Sequence, residues 1–177
     1  MKIPRKGDAV YTGSLTTNNF NIGKFLNEPS LGNVTFNGKI DGNSFVLERL
    51  KTKIEGNVTT LDFNGYTYSN IEASGVFQKK AFAGILNISD SNFNFKRNVG
   101  LDLSKAEPSF NIICDINNSK LLPLSFFAKN LSITGLVDLN FTGKNVYRFL
   151  GSARLIDAYI KSDNAELGFD SLSINSA

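Results

Sequence analysis

The chain has 177 residues, of which 41% are hydrophobic and 20% charged, and its formal net charge is +3. This is too much apolar material for an intrinsically disordered chain, and the length suits one domain. Lysine and arginine are scattered among aspartate and glutamate, which makes nucleic acid a poor hypothesis for a partner. The composition therefore predicts one folded domain over residues 1–177.

The opening residues Met1–Lys6 are basic and are interpreted as a solvated end. No run of about 18 apolar residues occurs and no apolar stretch follows the basic start, so the sequence predicts neither a membrane span nor a secretory signal. The polar start and the finish within Leu172–Ile174 lack caps. We therefore expect a segment of a larger protein, with any membrane anchor outside it.

Apolar and polar residues alternate along most of the chain, a pattern that predicts β-strands with one dry face. In chain order the clearest examples are Val34–Phe36, Leu61–Phe63, Phe93–Phe95, Leu101–Leu103 and Val137–Phe141. Between them lie turn-forming pairs such as Asn37-Gly38, Asp41-Gly42, Gly56-Asn57, Asn64-Gly65 and Thr142-Gly143. The sequence predicts an all-β antiparallel meander.

The clearest hairpin runs from Ile71 to Ile88 around the polar turn Gln78–Lys80, whose lysine pair is expected to face solvent. Helical periodicity is nearly absent elsewhere. Short helical turns are expected only near Lys120–Lys129 and Lys144–Gly151.

Most of the residues that enzymes and metal sites need are missing from this sequence. It has no histidine and one cysteine, Cys114, which excludes the usual catalytic triads and zinc sites. No calcium loop, phosphate loop or dinucleotide motif occurs. We predict no catalytic residue, no metal, no cofactor and no enzyme activity, although two carboxylates meeting in space for glycoside hydrolysis remain an open alternative.

Cys114 lies on the same alternating face as Phe110, Ile112 and Ile116. Thiols in such surroundings are usually small buried apolar groups. We interpret Cys114 as a buried structural thiol.

The aromatic content of fifteen Phe, five Tyr and no Trp suits hydrocarbon better than sugar, because phenylalanine has no polar handle. The candidate dry face comprises Val34, Phe36, Ile40, Leu61, Phe63, Phe77, Phe82, Leu86, Ile88, Phe93, Phe95, Phe110, Ile112, Leu131, Ile133, Val137, Leu139, Phe141, Leu167 and Phe169. On the residues alone, a closed sandwich core against a second sheet is the commoner explanation of such a face, and an open groove is the alternative.

A strand ending of aliphatic, polar, Phe, Asn or Thr, and Gly recurs at Val34–Gly38, Leu61–Gly65 and Leu139–Gly143. These echoes fit an architecture that stacks similar hairpins side by side. The phrases Phe63–Ile71, Phe82–Asp90 and Phe149–Leu155 resemble the TamB-like translocation and assembly modules of the AsmA-like superfamily. The resemblance covers roughly Leu31 to Ile174 and leaves residues 1–30 outside it. It implies a long sheet curled into an open trough with an apolar inside.

The resemblance also implies a function. The chain would be a periplasmic segment that shields phospholipid acyl chains during transport between the inner and outer membranes, in support of outer-membrane biogenesis. The full-length protein would be anchored in the inner membrane outside this chain and would work with an Omp85-type outer-membrane barrel protein. No catalytic group is carried over, and only the strand faces named above are expected to line the lipid groove.

A second hypothesis is a structural or chaperone-like module. Its strand edges would bind outer-membrane β-barrel or autotransporter substrates, or the Omp85-type partner. A solute-binding sandwich is a third hypothesis.

Overall fold

The computed structural model describes residues 8–120, 130–143 and 150–176, which form one antiparallel sheet and one short helix. The strands are β1 (Val10–Asn21), β2 (Leu31–Asn43), β3 (Lys51–Phe63), β4 (Tyr66–Gln78), β5 (Ala81–Ser89), β6 (Asn94–Asp102), β7 (Ser109–Lys120), β8 (Leu131–Thr142), β9 (Leu150–Ser162) and β10 (Glu166–Ser176), and the helix is α1 (Ile22–Leu26).

Each strand pairs with the next one along the chain, from β1 at one edge to β10 at the other. Within the described residues β1 and β10 do not pair with each other, so the sheet is open. The predicted all-β class and antiparallel meander are confirmed. The predicted hairpin is also confirmed, since Ile71 lies opposite Ile88 and Phe77 opposite Phe82.

Helix α1 lies where the sequence predicts none. The Asn21 side chain caps its start by accepting a hydrogen bond from the Lys24 N–H at 2.7 Å, and Asn27 ends it in a left-handed conformation. The helical turns expected at Lys120–Lys129 and Lys144–Gly151 lie outside the described residues, except for their outermost residues, which belong to strands.

The two faces of the sheet differ in chemistry. On one face polar partners lie opposite each other: Asn87 Nδ2 donates to Glu72 Oε2 at 2.8 Å. Arg154 Nη2 likewise donates to Asp138 Oδ2 at 3.1 Å. The other face carries the buried apolar residues, as alternation in a strand requires. We call these the outer and the inner face.

The strands bend back over the inner face, as one pair of contacts shows. Ser30, just before β2, accepts a hydrogen bond from the Asn64 N–H between β3 and β4 at 2.8 Å. At the opposite end of β4, Lys80 Nζ donates to the carbonyl oxygen of Asn27 at 2.9 Å. Thus one short segment, 27–30, touches both ends of β4.

A straight β4 would not allow this. Its 13 residues would span about 43 Å, whereas the three residues from Asn27 to Ser30 span at most about 11 Å. A lysine side chain adds only a few ångströms. The sheet is therefore an open trough, whose rims are the two sets of strand ends and whose long axis runs across the strands. We call these rims the Asn64 rim and the Lys80 rim.

This position corrects the expectation for the lysine pair. Lys79 is exposed in the turn as predicted, but Lys80 is half-buried and reaches across the trough to α1.

Glycine pairs occupy the inner face at the middle of the bent strands. Gly38 lies opposite Gly56, and Gly75 opposite Gly84. A Cβ on Gly75 would lie 2.5 Å from the Ala83 carbonyl oxygen and 2.8 Å from the Phe82 ring. The ring therefore lies against the glycine backbone, which leaves no room for a side chain at the bend.

Residues in the left-handed conformation also interrupt the regular strands and change which residues face inward. Asn19 in β1, Asn70 in β4 and Asp157 in β9 have φ values of 53°, 52° and 47°. Asparagine and aspartate tolerate this left-handed region better than other residues with side chains. The pairing register shifts beside Asn19, between Thr17 and Phe20.

Candidate functional site: the apolar face of the trough

A row of large apolar side chains crosses five strands near the Lys80 rim. By register, the neighbours in this row are Phe77, Phe82, Leu101, Phe110 and Phe141. All five are half-buried, and the rings of Phe110 and Phe141 are stacked with centroids 4.8 Å apart. Five strands span about 19 Å at the spacing of a sheet. This phenylalanine row thus offers hydrocarbon a continuous apolar path along the trough.

A second row runs parallel to the first and lies deeper. Its neighbours by register are Phe36, Val58, Ile71, Ile88, Phe95 and Ile116. Phe36, Ile71, Ile88 and Phe95 are buried. We call it the deep row. Its members Ile71, Ile88 and Phe95 belong to the core cluster, together with Val99, Ile133 and Val137.

Every described strand belongs to a single sheet, so no second sheet covers the inner face within the described residues. The sandwich favoured by the residues alone is therefore wrong for this part of the chain. The deep residues are covered by the curvature of their own sheet. The phenylalanine row remains partly open.

A shallow recess of about 380 Å³ adjoins the phenylalanine row at the Lys80 rim. Phe82, Leu101 and Phe110 contribute to its lining, but most of the lining comes from outer-face positions, including Val76, Ala83, Gly100, Asn111 and Asn140. The recess therefore lies mainly on the outer face and is not part of the apolar path.

The opposite rim is closed by aromatic packing. The rings of Tyr66 and Tyr68 lie 4.8 Å apart edge to face, and those of Phe93 and Phe95 are stacked at 5.6 Å. Tyr68 joins the two pairs through a contact with Phe93 at 6.0 Å. Edge-to-face and stacked rings of this kind add stability beyond the area they bury.

A buried carboxylate holds this aromatic rim in place. Asp90 Oδ1 accepts hydrogen bonds from the Tyr66 hydroxyl at 2.5 Å and the Asn92 N–H at 2.9 Å. Its Oδ2 accepts from the Ser69 hydroxyl at 2.7 Å and the Ser69 N–H at 3.0 Å. Burial alone would raise the pKa of Asp90, but these four hydrogen bonds outweigh it and lower the pKa. The ionised form is thus the one that stabilises the rim.

The pKa values of the two tyrosines shift in the opposite direction to that of Asp90. Burial, and then the hydrogen bond to Asp90, raise the pKa of Tyr66. Burial raises the pKa of Tyr68 further above its ordinary value. Both hydroxyls stay protonated at neutral pH, so the two tyrosines and Asp90 do not form a proton-transfer pair poised near pH 7.

The Cys114 side chain is 1% exposed in β7 and belongs to the core, as predicted. Burial, with a smaller contribution from the Asp115 carboxylate, raises the pKa of its thiol to about 12. The nucleophilic thiolate is therefore scarce at neutral pH.

The structure brings most of the predicted lining together on the inner face. Ile88, Phe95, Ile133 and Val137 lie in the core, and the residues packed against it include Leu61, Phe63, Phe82, Leu86, Phe93, Ile112 and Leu139. On β2, Val34 and Phe36 are buried and Ile40 is half-buried; Phe77, Phe110 and Phe141 lie in the phenylalanine row, and Leu131 is half-buried at the start of β8.

Two predicted lining residues lie at the edge instead. Leu167 and Phe169 are on β10, the last strand of the sheet. Leu167 is 57% exposed, whereas Phe169 is half-buried. They extend the inner face but do not belong to its core.

The predicted set also omits several inner-face residues, namely Val58, Tyr68, Ile71, Val99, Leu101, Ile116, Leu155 and Ile160. Ile71 and Tyr68 stand three positions apart and both belong to the core, because Asn70 between them changes the phase of alternation. An asparagine inside an apolar strand pattern is the signal that points to such a change.

Comparison of the chain with protein-family models, with curated proteins and with solved structures gave no match. Within the residues that the structure describes, helical structure nowhere reaches the length and apolar character of a membrane span. No group of three or more His, Cys, Asp or Glu able to hold a metal ion occurs in that part of the chain. The inner face is therefore the candidate site that the geometry itself defines.

Proposed function

We propose that the chain is a lipid-shielding trough, in which phospholipid acyl chains lie against the inner face and stay out of water. The observation that carries this proposal is the phenylalanine row, a continuous and half-buried apolar path with no second sheet over it within the described residues. The row runs along the long axis of the trough, which is the direction that an acyl chain would follow during transport.

The energetics support a conduit better than a tight binding site. Each CH₂ of an acyl chain costs about 0.8 kcal/mol to leave in water. A row of similar apolar side chains lowers that cost by a similar amount at every point, so no position holds the chain strongly. Passage through the trough then needs no catalysis, and we propose that the chain is not an enzyme.

The resemblance to TamB-like modules supplies the setting of the proposal. The chain would work in the periplasm as part of a protein anchored in the inner membrane. It would carry phospholipid toward the outer membrane together with an Omp85-type barrel protein. The open antiparallel meander is the architecture that this resemblance predicts.

A matched pair of double variants tests the proposal. Phe82→Asp with Phe110→Asp places charge in the phenylalanine row. Ile85→Asp with Ile113→Asp places the same charges on the outer face of the same two strands, where these isoleucines are 51% and 40% exposed. Native mass spectrometry would count the phospholipids that copurify with each chain.

We expect the inner-face variant to lose copurifying phospholipid and the outer-face variant to keep it, with β structure by circular dichroism intact in both. In the full-length protein the inner-face variant should block lipid transport. Equal lipid retention by the two variants, or a wild-type chain free of lipid, would contradict the proposal.

One observation favours the second candidate function, a module that binds partners through strand edges. β10 is an edge strand of the sheet, and its apolar residues Leu167 and Ile174 are 57% and 49% exposed. Such an edge can pair with a further strand. Capture of extended outer-membrane β-strand peptides by the lipid-free chain would support it, and their failure to bind would remove it.

A further inference from the structure

The segment from Ile22 to Ser30 connects β1 to β2, and its last residues contact both rims of the trough. At the Asn64 rim the Ser30 carbonyl accepts from the Asn64 N–H at 2.8 Å. At the Lys80 rim the Asn27 carbonyl accepts from Lys80 Nζ at 2.9 Å, and Glu28 Oε2 lies 3.9 Å from the same nitrogen. The segment therefore spans the mouth of the trough between β2 and β5.

Burial shows which side of α1 faces the sheet. Lys24 and Phe25 are exposed, whereas Leu26 is 2% exposed and Gly23 is buried. A Cβ on Gly23 would lie 1.9 Å from the Leu31 carbonyl oxygen, so α1 lies directly against the start of β2. Leu26 is thus the side chain of α1 that is packed away from solvent.

The contact at the Lys80 rim is well formed for a latch. The side chains of Lys80 and Glu28 are 23% and 20% exposed, so water screens their attraction only in part. Glu28 is itself held in place, since its Oε1 accepts from the Ser30 hydroxyl at 2.9 Å. The neighbouring Lys79 is exposed and bonds only through its backbone N–H, to Leu50, in the contacts that the structure describes.

We infer that residues 22–30 are a strap that closes the trough over β2 to β4, with Lys80 as its latch. One consequence rests on the proposed function: acyl chains enter along the part of the trough from β5 toward β10. Release of the latch opens the strapped part to hydrocarbon as well. The strap thus controls how much of the trough is open to acyl chains.

The geometry can be tested without any lipid, on the unmodified chain. A carbodiimide joins a lysine amine to a carboxylate without a spacer, so it couples only groups that come into direct contact. We expect a Lys80–Glu28 crosslink by peptide mass mapping. Lys105 and Asp102, 3.7 Å apart, are the positive control. A Lys105–Asp102 crosslink without a Lys80–Glu28 crosslink would overturn the strap.

The latch is tested by Lys80→Gln, with Lys79→Gln as the matched control in the same turn. The Glu28 N–H donates to the Gly23 carbonyl at 2.9 Å inside the strap. We expect Lys80→Gln to speed hydrogen exchange of this amide about two- to five-fold, the range for loss of a partly exposed ion pair. Lys79→Gln should leave it unchanged. Equal rates in the two variants would overturn the role of Lys80.

The consequence for lipid is tested with the same variants and a fluorescent fatty acid. Association should be about two- to five-fold faster in Lys80→Gln than in Lys79→Gln or the wild-type chain. Equal association in all three, with faster exchange in Lys80→Gln, would overturn control of entry and leave the lipid-shielding function standing. No binding by any of the three would overturn the lipid-shielding function, while the crosslink would still establish the strap.

Discussion

Strand β2, beside the strap, and the edge strand β10 differ in how far their inner-face apolar residues are covered. Val34 and Phe36 of β2 are buried, although they belong to a single sheet. At the other end, Leu167 and Ile174 of β10 occupy inner-face positions with about half of their surface exposed. Leu15 and Phe20 of β1, the edge strand at the strapped end, are likewise 38% and 44% exposed. The same alternation thus gives a closed or an open surface, depending on whether a strand has neighbours on both sides.

The largest expected effect distinguishes a buried isoleucine on the inner face from an exposed isoleucine on the outer face. Ile88 lies in the deep row and Ile85 on the outer face of the same strand, β5. Ile88→Ala should lower the free energy of unfolding by about 2–4 kcal/mol, because the bent sheet cannot collapse onto the cavity. Ile85→Ala should change it by less than about 0.5 kcal/mol. Urea denaturation measures both, and similar losses would mean that the inner face is no core.

The bend itself is tested at two glycines. A Cβ on Gly84 would lie 2.3 Å from the Ser74 carbonyl oxygen, whereas one on Gly100 in β6 meets nothing closer than 3.5 Å. Gly84→Ala should therefore cost about 1–3 kcal/mol of stability. Gly100→Ala should be neutral or slightly stabilising, because alanine restricts the unfolded chain. Equal thermal shifts in the two variants would contradict a bend that depends on Gly84.

The Asn64 rim should weaken in acid. Because the folded-state pKa of Asp90 is lowered, its contribution is complete above the unfolded value of about 3.9 and is lost as the pH falls through the folded value. Asp90→Asn should reduce the free energy of unfolding at pH 7 by about 1–3 kcal/mol. Below pH 5 the stability of this variant should fall less steeply with pH than that of the wild-type chain. Asp170→Asn, at an exposed site on β10, is the control. An acid profile unchanged by Asp90→Asn would show that other groups stabilise this rim.

The smallest effect is expected at the open end. Leu167→Lys with Ile174→Lys should change the free energy of unfolding by less than about 0.5 kcal/mol, since both side chains are largely exposed. It should reduce self-association, because lysine on an edge strand opposes pairing with another chain. Analytical ultracentrifugation measures this, and a large loss of stability would mean that β10 is better covered than its exposure indicates.

Much of the fold can be predicted from local patterns. The hairpin of β4 and β5 follows from alternation on both sides of a polar turn, and in the structure its ends Ile71 and Ile88 lie opposite each other. The inner-face residues of β8, such as Val137 and Leu139, also keep a strict period of two. Where the period holds, sequence alone places side chains on the correct face.

The rest could not be predicted because it depends on contacts between distant parts of the chain. Helix α1 has five residues, too few for helical periodicity, and Gly23 is needed for packing against Leu31. Lys80 has the composition of a solvated turn, and only the bend brings it to Asn27. The choice between a sandwich and a trough depends on this bend as well.

The meander order has a consequence for how the length of such a sheet can change. Because each strand bonds only to its neighbours along the chain, inserting or deleting one hairpin changes the reach of the structure by about 10 Å and leaves the other pairings intact. Length is thus an adjustable quantity, counted in hairpins. The same order permits stepwise assembly during synthesis, with each newly made ribbon adding to the one before it.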